Sequence, residues 1–405
     1  MAATPKFTGV RLEMELRADS PMLHFQPDTP GATVRATEVK PKLDKFLLKK
    51  LEKATGLDAA GLKEHPDYKS WFLKEDCDAL KYKMQIIAPA SESYPAGGTN
   101  YGIFYGNMGE GPKKKAVFSN PRVIIQCFHQ KLRELLEAYL AEFFLVTNFG
   151  TMQGKGFGSF VPAAVSGSEL SDKEMKLIAG YLKEAASGAE ECYCMRFPKK
   201  NATELQGTGK NAYCEKMFKE IKDFYCIMKS GINFKGYAKS FVFKYMLEKK
   251  FGNEKAFLKY KGLAPKVATS DAGRKKAAMM KEPEKPRYVR SMLGVGSTLT
   301  YREKGKKDVN ITISSDEFKR VSSPIFFKIV GNVVFIVAKP VPEELYEKQF
   351  LFSVGKKSEV ISTPAKGEFD LQEMLAKYVT YYNSELLRSQ ELPMIRNYKK
   401  VEVIR

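Results

Sequence analysis

The chain has few of the side chains on which enzymes most often depend. Its 405 residues include one tryptophan and only three histidines, which are His24, His65 and His129. No Ser-His-Asp or Cys-His signature accompanies these histidines. Acidic pairs such as Glu190-Glu191 are adjacent in sequence, which is not the spacing of a metal cage. We therefore expect no metal site and no cofactor.

Cysteines and long apolar runs are also sparse. The six cysteines are irregularly spaced, and Cys192-Tyr193-Cys194 is not a CxxC pair. A disulfide framework is unexpected in a chain of this length, so reduced thiols and a cytoplasmic location are predicted. The longest apolar run, near Phe143, is too short to span a bilayer, and the N-terminal stretch lacks an apolar signal core. No membrane association is predicted.

Acidic residues are outnumbered by basic ones. Lysine and arginine total 67 against 47 aspartates and glutamates, which gives a formal charge of +20. This excess favours a polyanionic partner, because neutralised phosphates release bound counterions. The alternative is a basic protein that is merely soluble. The length allows a sizeable core and two domains.

The first half alternates strand and helix patterns. Residues 10–18 alternate apolar and polar side chains, as in a strand with one wet face. In the next helix, Pro41 is expected in the first turn and Gly56 at the C-terminal cap. The order of elements is β (10–18), α (41–56), β (82–88), an arm (101–106), β (122–127), α (132–144) and β (157–161). This order predicts an α+β, ferredoxin-like split βαβ domain over residues 1–165.

A glycine-rich loop, TNFGTMQGKGFGSF (147–160), joins the second helix to the last strand of this domain. A dinucleotide fingerprint would need a strand before it and a helix after it, which is the reverse of the order here. The segment from Gly150 to Lys155 is one residue short of a Walker A motif, and Gly156 replaces the required Ser or Thr. Two interpretations stay open: bare backbone that seats a polyanion, or a tight turn that needs glycine conformations alone.

Two motifs resemble those of the RAMP superfamily of CRISPR-associated proteins. Lys155-Gly156-Phe157-Gly158 is similar to the RGFG or KGFG ending of that family's glycine loop. A Gly-x-x-Arg-Ala-Thr/Ser-x-x-Lys segment that opens the family's first helix has counterparts here in Gly31, Arg35, Ala36, Thr37 and Lys40, with one more residue between Gly31 and Arg35 than in that pattern. The sequence most resembles the first RAMP subunit of Cmr-type (type III) effector complexes.

The resemblance implies an RNA-binding subunit of a ribonucleoprotein in antiviral defence, without catalysis. Its partners would be guide or target RNA and other effector subunits. Binding would read the shape and 2′-hydroxyls of RNA and would weaken steeply with salt. The residues expected to line one RNA groove are Arg35, Thr37, Lys40, Lys42, Gly150, Gln153, Lys155, Gly156 and Gly158.

Two other functions stay open. His24 follows the first strand, where a general base for metal-independent cleavage of guide RNA could lie. A lone histidine at such a position is more often structural. A basic scaffold that contacts only protein subunits is the third possibility.

The second half predicts helical insertions and a further sheet. Helices are expected at 171–190, 211–230 and 371–388, and a hairpin at 323–341 turns at Gly331-Asn332. Residues 264–290 are polar and basic, as in a linker. Aromatic residues between 211 and 262 have helical spacing and are expected in the core. The resemblance implies a second, distorted RAMP-like domain within 166–405, and thus tandem ferredoxin-like domains with helical insertions.

Overall fold

The computed structural model describes residues 5–24, 33–74, 76–88, 90–96, 101, 115–232, 238–264, 282–301, 308–318 and 320–405. The fold is α+β. Its α-helices within these ranges are α1 (Ala36–Thr55), α2 (Ala59–Glu64), α3 (Gln130–Val146), α4 (Asp172–Ala185), α5 (Gly207–Lys229), α6 (Phe241–Glu248), α7 (Glu254–Tyr260) and α8 (Leu371–Ser384).

The strands fall into five sheets within the described ranges. They are β1 (Phe7–Thr8), β2 (Arg11–Ala18), β3 (Met22–His24), β4 (Tyr82–Ile87), β5 (Ser91–Pro95), β6 (Lys115–Ser119), β7 (Arg122–Cys127), β8 (Phe160–Pro162), β9 (Tyr193–Arg196), β10 (Gly252–Asn253), β11 (Pro286–Arg287), β12 (Thr298–Tyr301), β13 (Val309–Ser314), β14 (Ile325–Val330), β15 (Val333–Ala338), β16 (Gln349–Val354), β17 (Lys357–Ser362) and β18 (Val401–Val403).

The first sheet has the antiparallel order β8-β2-β7-β4, and β1 extends one end of β2. In β2 the alternation predicted from sequence is present. Leu12, Leu16 and Ala18 are buried, and the intervening charged residues face away from them. A strand with one dry face fixes its register, because a slip of one residue would expose every apolar side chain. This sheet is therefore well defined by the sequence of its central strands.

Helix α1 begins earlier than predicted. It starts at Ala36, after Arg35 in an extended conformation, so Pro41 lies inside the helix instead of in its first turn. Proline removes one backbone hydrogen bond from a helix interior. The buried stripe of Val39, Leu43 and Leu47 offsets this loss by packing on the sheet. The predicted end of the helix is confirmed, since Gly56 has φ +73° and donates to the Glu52 carbonyl.

The second large sheet has the antiparallel order β14-β15-β9-β18. The predicted hairpin is confirmed as β14 and β15, and all residues of both strands are buried. Its turn contains Gly331 with φ +57°, which suits the primed turns that join twisted strands. The two large sheets have the same strand order when the short strand β1 is left out. Read from β8 in the first sheet and from β18 in the second, the strands are the fourth, first, third and second of their sheet along the chain.

Smaller sheets flank these two: β3-β6-β5, β10-β11 and β12-β13-β16-β17. The linker expected at 264–290 is wrong at its C-terminal end. There β11 is followed by a buried 3-10 turn, Val289–Leu293. Residues 265–281 of that linker lie outside the described residues, as do residues 102–106 of the expected arm. The predicted packing of the aromatic segment is confirmed by Phe218, Phe224 and Tyr225, which are buried.

All six cysteines are free thiols. None of the described helices combines the length and apolar character needed to span a bilayer.

Candidate nucleic-acid interface

The two motifs singled out from the sequence lie side by side. Lys42 on α1 donates to Gln153 Oε1 at 2.8 Å and to the Asn148 carbonyl at 3.2 Å. Glu38 Oε1 accepts from Lys42 Nζ at 2.8 Å and from the Gly150 amide at 2.9 Å. The start of α1 is thus joined to the glycine loop by hydrogen bonds. These groups bind one another, so Lys42 and the Gly150 amide are already occupied.

Three of the loop glycines satisfy a conformational need. Gly150, Gly156 and Gly158 have φ of +77°, +94° and +67°. A Cβ on Gly158 would lie 1.9 Å from the Phe149 carbonyl oxygen. The amide of Gly158 donates to the Pro21 carbonyl, and that of Gly156 donates to the Gln153 carbonyl. Gly156 and Gly158 are buried, so the expected contact of these two glycines with RNA does not fit the structure.

Gly154 and Gln153 form the tip of the loop. A Cβ on Gly154 would meet no atom within 4 Å, and its φ is not in the left-handed region. Gln153 is exposed. The tip is the part of the loop at which a ribose-phosphate chain could approach bare backbone.

Lys155 faces the interior instead of the expected groove. Its Nζ lies 3.0 Å from the centre of the Tyr225 ring and is buried without a hydrogen-bond partner in the described part of the chain. Burial, followed by the charge of Lys229, holds the pKa of Lys155 well below its usual range. The expected phosphate contact of Lys155 is therefore inconsistent with this structure.

Lys40 is also a structural residue. Its ammonium donates to Asp44 Oδ2 at 2.7 Å and to the Leu80 carbonyl at 2.9 Å. It also lies 4.1 Å from the centre of the Tyr82 ring. Lys40 thus holds α1 against the start of β4, which corrects its expected role in phosphate binding. Arg35 and Thr37, in contrast, are exposed at the head of the helix.

An open basic cleft lies beside the exposed face of α1. It has a volume of about 720 Å³ and separates α1 from the β14–β15 hairpin and the C-terminal end of α4. Lys45 and Lys49 on α1 are exposed, and neither has an ion pair or hydrogen bond with the residues that the structure describes. The apolar part of the cleft is formed by Phe46, Phe143, Val146, Leu182, Phe326 and Val337.

Lys339 lies on the opposite wall of the cleft. Its Nζ is 4.4 Å from the centre of the Phe326 ring. Lys339 is exposed as a residue, and partial desolvation of its ammonium, followed by the positive charge of Lys49, lowers its pKa. Lys49 and Lys339 both line the cleft, and the positive charge of Lys49 disfavours that of Lys339. Such an arrangement costs free energy until an anion enters.

The neighbouring lysines on α1 are neutralised. Lys50 pairs with Glu142 at 2.6 Å and Glu184 at 3.0 Å, and Lys53 pairs with Glu184 at 2.9 Å. The unpaired positive charge of the cleft is therefore concentrated at Lys45, Lys49 and Lys339, and Glu52 is a lining carboxylate without an ion pair among the described residues.

The candidate base His24 is the last residue of β3, where its backbone is paired with that of Lys115. The described residues contain no group of three or more His, Cys, Asp or Glu side chains that could hold a metal ion. His129 precedes α3 at the N-cap position, but its side chain makes no capping hydrogen bond.

The sequence gives only a weak signal for Lys45, Lys49 and Lys339. Lys45 and Lys49 recur at a spacing of four residues on α1, but a lysine face of this kind is usually only solvated. Lys339 directly follows β15, and nothing local in the sequence indicates that this strand end lies opposite α1.

Comparison with known proteins gives matches along nearly the whole chain. The family model described as Cmr1 N-terminal domain matches residues 9–232, and the one described as Cmr1 C-terminal domain matches residues 237–400. The crystal structure of Cmr1 from Pyrococcus furiosus in its apo form covers 97% of this chain and 98% of its own, at 12% identity and a TM-score of 0.43. No curated protein sequence matches the chain.

Proposed function

We propose, on the premise that this chain belongs to the Cmr1 family of RAMP subunits in Cmr-type (type III) CRISPR effector complexes, that it binds the backbone of guide or target RNA without cleaving it. Other effector subunits would be its protein partners. The proposal rests on the basic cleft, which offers unneutralised ammonium groups along an open surface.

The geometry of α1 suits an extended polyanion. Thr37, Lys45 and Lys49 are exposed at multiples of four residues, and therefore lie on one side of the helix. One helical turn rises about 5.4 Å, so successive basic groups can meet successive phosphates of a strand that runs along the helix. Arg35 lies at the head of this line, and the loop tip at Gln153 and Gly154 lies beside Lys42.

The observation that carries the proposal is that Lys45, Lys49 and Lys339 line one open cleft and their side chains have no ion pair or hydrogen bond with the described residues. Each ammonium would stabilise a phosphate placed between them, and the phosphate would remove their mutual repulsion. Contacts of this type position a backbone without reading base sequence. Selectivity for RNA would come from its shape and 2′-hydroxyls.

We also propose that the chain consists of tandem ferredoxin-like units. The support is that both large sheets have the same strand order, although the second is interrupted by α5 to α7 and the smaller sheets. The first unit would occupy residues 1–165. The second would lie within 166–405, with helical insertions.

The experiment measures binding of a fluorescent single-stranded RNA by anisotropy across a range of salt concentrations. Lys45→Gln with Lys49→Gln removes two cleft charges without touching an internal ion pair. We expect weaker binding, and the slope of log affinity against log salt should fall by about 1.4, since each single-strand phosphate contact contributes about 0.7. Arg35→Ala should lower the slope further.

The matched control is Lys173→Gln with Lys176→Gln. Both lysines are exposed on the first turns of α4, away from the end of that helix that lines the cleft. This pair makes the same change in net charge, and its binding should differ little from wild type. Equal affinities and slopes for the cleft variant and the control would refute the cleft as the RNA site.

A further inference from the structure

The first turn of α5 leaves backbone N–H groups free. Gln206 precedes the helix without a side-chain cap, and the first turn contains no acidic residue. Within the described residues, the amides of Gly207, Thr208 and Gly209 have no hydrogen-bond acceptor. The N-terminus of a 23-residue helix carries partial positive charge, so it favours an anion. The first turn of most helices has free N–H groups, so an anion-binding site needs a further group that attracts the anion.

The shape of this turn depends on its glycines. Gly207 has φ +60°. A Cβ on Gly209 would lie 2.2 Å from the Thr203 carbonyl oxygen, because the 3-10 turn Ala202–Leu205 packs against it. Gly209 therefore allows the 3-10 turn to pack closely on the start of α5, and the space around Gly207 is open.

Lys210 supplies the second, independent observation. Only 7% of this residue is exposed, yet it has no hydrogen bond and no ion pair with any described residue. It lines a small opening of about 210 Å³ together with Gly207, Gln206, Ser91, Ser119 and Asn120. Its Nζ lies 5.1 Å from the centre of the Phe118 ring. A buried ammonium without a partner is costly, because its desolvation is not repaid by an acceptor.

The surroundings of Lys210 contain more positive than negative charge. Lys200 is also buried, and Arg17 and Asp19 lie nearby. Asp19 is already engaged by Arg17 at 2.6 Å and by the Gly331 amide at 2.7 Å. Burial is the main cause that lowers the pKa of Lys210; Asp19 opposes this shift, and Lys200 and Arg17 add to it. An anion in the opening would meet this unbalanced charge.

Two further carboxylates lie near the site; both keep their negative charge and accept hydrogen bonds from neutral groups. Glu92 lines the opening and accepts a hydrogen bond from the Tyr94 hydroxyl at 3.0 Å. Glu204 accepts from the Asn201 amide at 3.0 Å in a reciprocal cap of the 3-10 turn. Neither forms an ion pair with Lys210.

We propose that the N-terminus of α5 and Lys210 form a seat for one phosphate group. The opening fits a single phosphate better than a whole nucleotide, and it shares no lining residue with the cleft beside α1. The ligand chemistry is an anion with several acceptor oxygens, which free N–H groups and an ammonium bind together. The phosphate could be free or could be the terminal group of an RNA strand. The seat does not depend on RNA binding in the cleft.

The first test titrates the full-length protein with inorganic phosphate in a low-salt buffer and measures binding by calorimetry. Wild type should bind one phosphate, and Lys210→Gln should bind at least about tenfold more weakly, because a charge-assisted bond contributes about 1.5–3 kcal/mol. Lys216→Gln, on an exposed part of the same helix, is the control and should match wild type. Equal binding by wild type and Lys210→Gln, or no binding by wild type, would overturn the seat.

Thr208→Asp tests the same phosphate seat without altering the buried Lys210. Thr208→Asp places a carboxylate at an exposed position of the first turn, where it caps the N–H groups and competes with phosphate. We expect an unchanged circular dichroism spectrum, a stability at least equal to wild type, and loss of phosphate binding. Full phosphate affinity in this variant would contradict the site.

The source of the phosphate is identified by competition. Short RNAs that are identical except for a 5′-phosphate or a 5′-hydroxyl are tested for displacement of inorganic phosphate in the Lys45→Gln, Lys49→Gln protein. Stronger displacement by the phosphorylated strand indicates an RNA terminus, and equal displacement indicates free phosphate. Loss of RNA binding in the cleft would leave the calorimetric result for inorganic phosphate unaffected, so the two proposals can fail separately.

Discussion

Lys42 Nζ on α1 and Gln153 Oε1 at the tip of the glycine loop are joined by a hydrogen bond of 2.8 Å. The same loop also contacts the second half of the chain. The carbonyl of Gly154 accepts from the Phe327 amide at 3.1 Å, and Asn148 Nδ2 donates to the Phe327 carbonyl at 2.8 Å. The glycine loop is thus a joint among α1, α3 and β14, and its tip is the part left open to solvent.

Substitution of Gly158 should show this structural role. Gly158→Ala forces a left-handed φ of +67° on an L-residue and places Cβ against the Phe149 carbonyl. The backbone strain alone costs about 1–2 kcal/mol, and the clash adds to it. We expect a loss of at least about 3 kcal/mol in the free energy of unfolding, measured by urea denaturation.

Gly154→Ala is the matched control for this loss. The added methyl group meets no atom within 4 Å, and φ is already in a region open to alanine. Its stability should stay within about 0.5 kcal/mol of wild type. A stable Gly158→Ala protein would show that the loop does not hold the joint described above.

Substitutions of Lys40 and Lys45 should distinguish a lysine that stabilises the fold from one that binds RNA. Lys40→Met leaves the buried Asp44 carboxylate without its ion pair, and burial already raises the pKa of Asp44 despite that pair. We expect a loss of about 2–3 kcal/mol in unfolding free energy, because breaking a partly buried pair leaves a desolvated charge. Lys45→Met should leave stability unchanged and weaken RNA binding. A loss of stability in Lys45→Met together with unchanged stability in Lys40→Met would contradict the roles given to these lysines.

Much of the architecture could be predicted from local pattern. Strand β2 and helix α3 follow from apolar periodicity, and the β14–β15 hairpin follows from Gly331-Asn332 between two β-rich runs. These elements are strongly periodic or have a clear turn residue, and both signals are local. The start of α1 was misplaced because Pro41 suits a first turn, whereas tertiary packing stabilises a helix that continues through it.

The candidate site was only partly predictable. Sequence placed the glycine loop near α1, but it could not show that Lys155 faces Tyr225 or that Lys339 lines the same cleft as Lys49. Both relationships depend on how α5 and the β14–β15 hairpin pack against the glycine loop and α1. Residues 155 and 225 are 70 positions apart in the chain and residues 49 and 339 are 290 apart, and proximity at such separations leaves no periodic signal. Basic residue type is therefore a weak guide to which lysines remain free for a ligand.

The proposal of binding without cleavage gives a direct prediction. The purified protein, incubated with repeat RNA in EDTA, should leave the RNA intact on a denaturing gel. The expectation follows from the proposed function, in which the lysines of the cleft bind the RNA backbone and break no bond in it. His24→Ala should therefore behave as wild type in this assay. Cut RNA with wild type and intact RNA with His24→Ala would establish the endoribonuclease instead.

Stability should increase as the pH rises above neutrality, because of lysines buried inside the protein. Lys328 is fully buried and donates to the carbonyls of Phe144 and Thr147 at 2.7 Å each. Burial lowers its pKa from 10.5 to about 7, and burial likewise lowers the pKa of Lys229 to about 7. The unfolded chain then binds more protons than the folded one above pH 7, so the free energy of unfolding rises with pH.

Urea denaturation between pH 7 and 8.5 measures this rise, which is at most about 1.4 kcal/mol per pH unit for each such lysine. The window stops below the range in which cysteines with raised pKa, such as Cys192 at about 12, begin to act in the opposite direction. Lys328→Met removes one titrating group and should reduce the slope, even though it leaves carbonyls unpaired and lowers stability overall. Lys216→Met, at an exposed position, should keep the wild-type slope. A flat pH profile for wild type would mean that these ammonium groups are not desolvated in solution.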